Sequence, residues 1–584
     1  MVLVLGAAPL SAQIIGPYVI QEESLGETLP LSELAADFNA GASRYFGEPK
    51  FEIPNQEIDL RELTGKTAML KSLLVTPGEE ARQTVDGANG TTPLPTLSFE
   101  GTSDDDNAAL IGYRLVPPDT EGDVGHKYYT QMNNVVFEIF DKKTGESVLG
   151  PLPNNIFFAG TGSVCELTND GDPVVLYDQQ ARRWIFSQFA LPIYSGLGID
   201  GHQCIAVSKT QDPLGEYYLY DFVTAVPEFG GVFAINDYPK MGVWTDGIYY
   251  TANDFQCLLT SPTTCSFSFT NVSAVAFDKE AMYAGDPAIG IKFQIGPLGA
   301  TDEIFIGVQP SHWEGDIKPK KGEPNTFWQL FDTEEFTFSG STAQDGIWHW
   351  DFYADFDDPW SSTFVDRGLI EFPEYLAFAC DGAIISGRNC VDQPSPGTVL
   401  EGQGLDSIDY RTMFRSQYRN FGNYAAVVLS ATVDADGEVN GSLEAGIRWA
   451  EVRKGKSRGW YLHQAGTYAP EDGENRFMPS IAQNKKGEIA LGYTVSSTAT
   501  YPAVRYTTRR ADDPLGEMTG GEVSCFEGSG SQIDSFWRWG DYSSMSVDPQ
   551  SDCTFWYTNQ YYEEDAQFDF KTRICSFNTC AESE

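Results

Sequence analysis

Short apolar runs alternate with polar turns along most of this chain, and the runs come in pairs. Four stretches repeat one unit, an acidic or small residue near proline, an apolar run, a tight polar turn and an aromatic-rich run. They are residues 172–189 (DPVVLYDQQARRWIFSQF), 237–255 (DYPKMGVWTDGIYYTANDF), 478–497 (MPSIAQNKKGEIALGYTVSS) and 541–562 (DYSSMSVDPQSDCTFWYTNQYY). Residues 123–141 (DVGHKYYTQMNNVVFEIFD) fit with a shorter first half. A hairpin unit repeated at long period predicts an all-β array, and the β-propeller is the architecture that such units build. Less regular strand-rich runs at 303–308, 326–332, 346–352, 423–433 and 446–453 fill the interval between the second and third of these units. Two further units in that interval give seven blades, with six or eight as the alternatives.

The pattern divides the chain into four parts. Residues 1–13 are an apolar run ending in small residues, which reads as the remnant of a secretory signal. Residues 14–107 are an extension and linker. They contain a helix near residues 31–38, opened by Pro30, and the breaker cluster GANGTTPLPT at 87–96. Residues 108–580 form the propeller, and 581–584 a tail. A strand at 110–116 is the candidate to complete the last blade and close the ring, or else a simple lead-in. In the DPLG strings at 212–215 and 513–516, Asp-Pro opens a turn and Gly supplies its positive φ.

Composition then narrows the function. The chain has 584 residues, 13% aromatic, with 57 Gly and 32 Pro, as suits many short strands joined by turns. Its net charge of −45 sets it against nucleic acid and anionic membranes as partners, and favours solubility or the attraction of Ca²⁺. No stretch approaches the roughly 20 apolar residues that span a bilayer. Ten Cys without a CxxC point to disulfides in an oxidising, extracellular or periplasmic setting. The expected pairs are Cys257–Cys265, Cys380–Cys390, Cys165–Cys204, Cys525–Cys575 and Cys553–Cys580.

The innermost strand of a propeller blade starts beside the central channel, so the residues that open the repeats are expected at its mouth. Those are Asp123, Asp172, Asp237 and Asp541, joined by Asp119, Glu121 and Asp170 just upstream. Converging carboxylates hold a hard cation, share protons as an acid/base pair, or cap backbone N–H groups. The catalytic candidates are Asp172, Asp237 and Asp541, and the candidate ligands for Ca²⁺ are Asp123 and Asp172. Trp537, Arg538, Trp539 and Tyr542, with Glu121, are the candidate ligand-binding wall, where rings stack on sugars and Arg reads hydroxyls or carboxylates. Trp184, Trp244 and Tyr249 sit in related places, but strand aromatics at such spacings more often pack between blades. The acidic string DADGEVNGSLE at 434–444 lies between strand-like flanks and reads as a hairpin turn, not an ion loop. Five scattered His, without HExxH, speak against a zinc hydrolase; there is no GxSxG elbow or phosphate-binding glycine loop. His349, between two Trp, reads as a packed residue.

The strings PPDTEGDVG, NDGDPVVLYD, QCIAVS, DYPKMGVW, GIRWAEVR, RWGDYSSMSVDP and DCTFWYT span most of residues 115–580. As a set they resemble a family of uncharacterised secreted bacterial β-propeller proteins, distantly like sialidase and BNR-repeat propellers. The resemblance implies the fold and carries no established activity. The Asp-boxes of sialidases (Ser-x-Asp-x-Gly-x-x-Trp) do not occur here. The expectation is a secreted monomer that binds an extracellular polysaccharide or glycoprotein at its channel mouth. It either cleaves that glycan, as a glycoside hydrolase or polysaccharide lyase, or serves as a non-catalytic adhesion or structural module stabilised by Ca²⁺.

Overall fold

A computed structural model describes residues 13–21, 24–41, 82–87 and 90–580, apart from short internal segments at 228–230, 262–263, 297–302, 338–343, 379–388, 395–403, 436–443, 457 and 534–537. The protein is mostly β, with 51% strand and 8% helix. Among the described residues, beside a two-stranded ribbon of Asn389–Val391 with Leu405–Asp406, seven larger groups of antiparallel strands follow one another, and their first strands are β1 (Glu121–Val124), β2 (Gly171–Asp178), β3 (Ala234–Val243), β4 (Gln309–Glu314), β5 (Ser416–Asn420), β6 (Asn475–Gln483) and β7 (Ser544–Val547). Each packs beside the next, and β7 packs beside β1, so the chain of neighbours returns to its start. Between β4 and β5 the contact becomes parallel pairing, Ser311 opposite Ser416 through Glu314 opposite Arg419, which fuses two groups into one nine-stranded sheet.

The antiparallel order inside each group follows from the alternating pattern and its tight turns. In the second group, Arg183–Ala190 pairs with β2 from Arg183 opposite Asp178 to Phe189 opposite Gly171. The Asp178 carboxylate caps the intervening turn through the N–H groups of Gln180 and Ala181, at 2.9 and 2.8 Å. The flanks of the acidic string pair as strands, Asp434 opposite Ala445, and its residues 436–443 lie outside the described ones. In the two DPLG turns Gly516 has φ 83°, while Gly215 is not left-handed; there an Asp212 carboxylate bonded to the Leu214 N–H holds the turn.

The N-terminal segment is woven into the array. Ile14–Gln21 adds a fifth strand to the third group and Gly26–Glu27 one to the second, while Arg82–Gln83 pairs in parallel with the edge of the fifth. The helix α1, Leu31–Asn39, begins after Pro30 and buries Leu31, Leu34 and Ala35. The last group is completed by Leu97–Glu100, with Arg573 opposite Glu100. The stretch 110–116 does not supply this strand. Its first residues end a second helix, α2 (Asp104–Ile111), which Ser103 and Asp106 fix through a reciprocal capping box and Gly112 stops in the left-handed conformation.

Disulfides join Cys165–Cys204, Cys525–Cys575 and Cys553–Cys580. Cys257 and Cys390 are also disulfide-bonded. Of the expected pairs Cys257–Cys265 and Cys380–Cys390, the Cys265 side chain and the residue Cys380 lie outside the described part of the structure. Among the described residues no helix is long and apolar enough to cross a membrane.

Candidate functional site at the start of the inner strands

Four of the repeats open on a common backbone device, and it does not fall on the same residue type. Asp119, Asp172, Tyr238 and Met478 have φ of 50°, 46°, 56° and 54°. The last three each precede a proline, and the pairing register breaks around Tyr238 and Met478 as in a β-bulge. Left-handed backbone at non-glycine residues costs about 1–3 kcal/mol each, so the surroundings must hold it. Aligned on this device, Asp172 matches Asp119 and Tyr238. Asp237 lies one residue before the device, Asp541 matches it only through the shared Asp-Tyr sequence, and Asp123 lies four residues beyond Asp119. The four repeat-opening Asp are therefore not equivalent positions, because the sequence repeat is anchored by the bulge and not by its acid.

Three of them still converge. Asp119 Oδ1 accepts from the Asp541 N–H at 2.8 Å, and its Oδ2 accepts from Asn134 Nδ2 at 2.7 Å. Asn134 Oδ1 in turn accepts from the Asp172 N–H at 2.9 Å. Asp172 Oδ2 accepts from the Tyr238 N–H at 3.0 Å and from the Tyr542 hydroxyl at 3.5 Å. Each carboxylate thus clamps the backbone of a neighbouring group instead of capping its own turn, and the chain of clamps runs from β7 through β1 and β2 to β3. Arg538 donates to Asp541 and lies 3.6 Å from Asp406.

Crowding sets the ionisation here. Burial, then the charges of Asp237, Asp119 and Asp541, push the Asp172 carboxyl well above the usual carboxylate range. Asp119 is raised by burial and by Asp541. Asp237 is pushed up to about 6 by burial and Asp541, with Arg411 and Arg538 pulling the other way. Asp237 is half-buried, while Asp119, Asp172 and Asp541 are 0%, 4% and 4% exposed, so Asp237 is the acid of this group that solvent reaches.

Lys240, two residues into the third repeat, fills the space behind them. Its Nζ lies 3.2 Å from the Tyr238 ring centre and 3.4 Å from that of Tyr542, and the two rings stack at 5.3 Å. A desolvated ammonium gains about 2 kcal/mol from such a face. Burial pulls Lys240 down to about 7 against the opposing pull of Glu121, Asp541, Asp172 and Asp119. Residues 404–415, all buried, run over this end and bring Arg411 to 5.0 Å from the Tyr238 ring.

Asp123 belongs to a deeper layer. Its Oδ1 accepts from the Val124 N–H and its Oδ2 from the Tyr177 N–H, both at 2.8 Å, and from Arg415 at 3.2 Å. The same guanidinium reaches Glu314 at 3.0 Å, and Gln417 donates to the other oxygen of Glu314 at 2.6 Å. Burial raises Glu314 to about 7 and holds His312 well below its usual value. Glu121 is fully buried, and neither of its carboxylate oxygens has a hydrogen-bond partner.

Three of the five residues expected to wall the ligand site are buried. Trp539 is fully buried, donates to Thr494 at 3.2 Å and packs 6.2 Å from Phe477 and 5.7 Å from Tyr562. Tyr542 is 1% exposed, and Glu121 is sealed in, so neither lines an open cleft. Trp184, Trp244 and Tyr249 are core residues, and His349 stacks 5.5 Å from Trp328. Trp537 lies outside the described residues. Arg538 keeps a partly exposed side chain beside Asp541. The Ca²⁺ assignment to Asp123 and Asp172 does not fit their donors. Asp123 is neutralised by Arg415, Asp172 accepts from Tyr238 and Tyr542, and neither belongs to a three-ligand group among the described residues. The groups that do gather are Asp332, Glu334 and Asp345, and a disulfide beside Asp221. The carboxylates of Asp332 and Asp345 bind backbone N–H groups of Ala377 and Tyr375.

Sequence reasoning missed Lys240, Arg411 and Arg415. The available signal was a lone Lys inside an otherwise buried inner strand, Pro239-Lys240-Met241, and two Arg within the buried run 404–415.

No family model and no curated protein matches this chain. Among solved structures, an ulvan lyase described as a new polysaccharide lyase family, bound to -[GlcA(1-4)Rha3S]-, aligns at 9% identity over 84% of this chain and 95% of its own, with a TM-score of 0.31. An α-L-arabinofuranosidase from Fusarium graminearum aligns at 9% identity over 84% and 98%, with a TM-score of 0.32. The Trypanosoma rangeli sialidase aligns at 9% identity over 69% of this chain and 54% of its own, with a TM-score of 0.28. Likenesses this distant carry no argument about fold or function.

Proposed function

We propose that the chain is a secreted, single seven-bladed propeller that binds and cleaves an extracellular glycan where its inner strands begin. The observation that carries this reading is Asp237, the half-buried member of a carboxylate group, whose carboxyl is held near 6 by burial and by Asp541. A carboxyl poised there gives up a proton near neutral pH to a leaving oxygen and takes one back, as glycan hydrolysis and elimination both require. Asp172 and Asp541 act as positioning groups in this reading, since one clamps Tyr238 and the other pairs with Arg538. The return of neighbours from β7 to β1 supports seven blades, and the disulfides support an oxidising compartment.

The carboxylate clamps favour a second reading. Asp119 and Asp172 spend their oxygens on neighbouring backbone, as a non-catalytic adhesion or structural module would use them. A panel of purified polysaccharides separates the two, read both for released sugar ends and for retention of the intact protein. Release abolished in Asp237→Asn supports cleavage. Retention without release supports the binding module, and neither outcome with any glycan removes both.

A further inference from the structure

The opposite end of the inner strands carries a different charge. Seven exposed cations sit on three hairpin turns there: Lys318, Lys320 and Lys321 after β4, Lys456 and Arg458 in the fifth group, and Lys485 and Lys486 after β6, with Lys486 beside Gly487. None of the seven forms an ion pair among the described residues, in a chain whose net charge is −45. The nearby cations that are paired lie behind them. Lys454 reaches Glu323 at 3.1 Å, Arg453 pairs with Glu451 and lies 4.2 Å over the Tyr424 ring, and Arg419 binds Asp552.

The three turns form one surface. Asn420 donates to the Lys318 carbonyl at 2.7 Å, which ties the first turn to the end of β5. A side chain placed on Gly487 would lie 3.9 Å from the Tyr424 hydroxyl, so the third turn abuts the same residue. Between the first two turns lies a shallow, open cleft, whose lining includes Lys320, Glu323, Asn423, Tyr424, Lys454 and Lys456. Tyr424 and Phe421 stack at 4.8 Å beside it.

We propose that this cleft and its rim bind a polyanionic glycan, a chain of sugars bearing carboxylate or sulfate groups, at a site separate from the carboxylate group. Ammonium and guanidinium groups without a carboxylate partner among the described residues supply the attraction, although Arg458 lies over the Tyr461 ring and Lys485 donates to the Ser551 carbonyl. The cleft lining adds the Tyr424 ring and the Asn423 amide for sugar rings and hydroxyls, while Asn420 and Glu323 are held by Lys318 and Lys454. The occupant must be narrow. Exposed Asp316 stands on the first of these turns and Glu146, Asp212, Asp246 and Asp512 on the other turns of this end, and a flat anionic membrane would meet them together with the lysines. The strongly negative remainder of the chain likewise repels an extended duplex. Net charge alone sets this protein against anionic partners; the three basic turns are the local exception on which this proposal rests.

The test is affinity electrophoresis of the whole protein through gels containing sodium polygalacturonate, dextran sulfate or neutral dextran. The comparison arms are a single-stranded DNA oligomer and vesicles of phosphatidylserine with phosphatidylcholine. Wild type is expected to be retarded by the two charged glycans and not by dextran, with retardation lost between about 0.05 and 0.5 M salt. The double variant Lys320→Ser, Lys456→Ser should bind at least tenfold more weakly with an unchanged melting temperature. Lys143→Ser, on another turn, should change binding less than twofold. No retardation of wild type by either charged glycan, or equal retardation of the folded double variant, overturns the site. Tighter binding to the DNA or the vesicles than to both charged glycans overturns the glycan assignment.

Discussion

The two ends of the inner strands use charge in opposite ways. Where the strands begin, carboxylates are buried among one another and beside Lys240, Arg411 and Arg538, so their oxygens are spent on neighbouring backbone and their protons are held tightly. Where the strands end, lysines stand exposed on tight turns without ion pairs among the described residues. The same Coulomb interaction therefore becomes structure and proton chemistry at one end and long-range attraction at the other. Burial decides which, because the loss of water strengthens every interaction inside and makes every unpaired charge costly.

The contrast predicts a descending series of effects. Arg415→Met leaves Asp123 and Glu314 buried without their shared cation, and should cost about 3–5 kcal/mol in chemical denaturation. A loss under 1 kcal/mol would show that these acids are protonated or solvated in the folded protein. Asp119→Ala strands the Asp541 N–H and the Asn134 amide, and should cost about 1–3 kcal/mol by the same measurement.

Asp237→Asn tests the direction of the pH dependence. A carboxyl raised from 3.8 to about 6 binds its proton more tightly in the folded state. Its charge therefore costs stability above pH 6, and that cost disappears as pH falls from 6 toward 3.8. The variant should be more stable than wild type at pH 8, by on the order of 1 kcal/mol after allowance for its partial exposure, and equal at pH 4. A larger gain at pH 4 than at pH 8 would reverse the assignment. Smallest of all, Lys320→Ser or Lys486→Ser should move stability by less than about 0.5 kcal/mol, since both side chains are exposed. A substantial loss would mean that the basic turns hold the fold together.

The paired strands were legible because alternation and turn residues are local signals. The second group shows this in the register of 183–190 against β2 and in the Asp178 cap of its turn. The closing strand was not legible. Leu97–Glu100 pairs with Lys571–Asn578, more than 470 residues away, and nothing in four residues announces such a partner. The acidic run 103–107, taken for linker, carried a helix signal in Ser103 and Asp106 that the expected strand at 110–116 overlooked. At the candidate site Asp123, Asp172, Asp237 and Asp541 were expected together; Asp172, Asp237 and Asp541 lie near Asp119, while Asp123 lies deeper on Arg415, because equivalence was inferred from the wrong anchor. The positive-φ bulge before proline sets the register, and Asp172, Tyr238 and Met478 share it despite unlike side chains. Trp539 and Tyr542 could not be told from ligand-binding aromatics by sequence, because burial is a property of what the other groups bring against them.

The central claim is that Asp237 is the working proton donor of a glycan-cleaving site. It is tested most directly by the rate of sugar-end release from a polysaccharide substrate of the wild-type protein, measured from pH 4 to pH 9 and compared with folded Asp237→Asn. The account predicts a wild-type profile with a limb near pH 6, and a loss of at least a hundredfold together with that limb in the variant. A variant that keeps the wild-type rate and the same limb would contradict it.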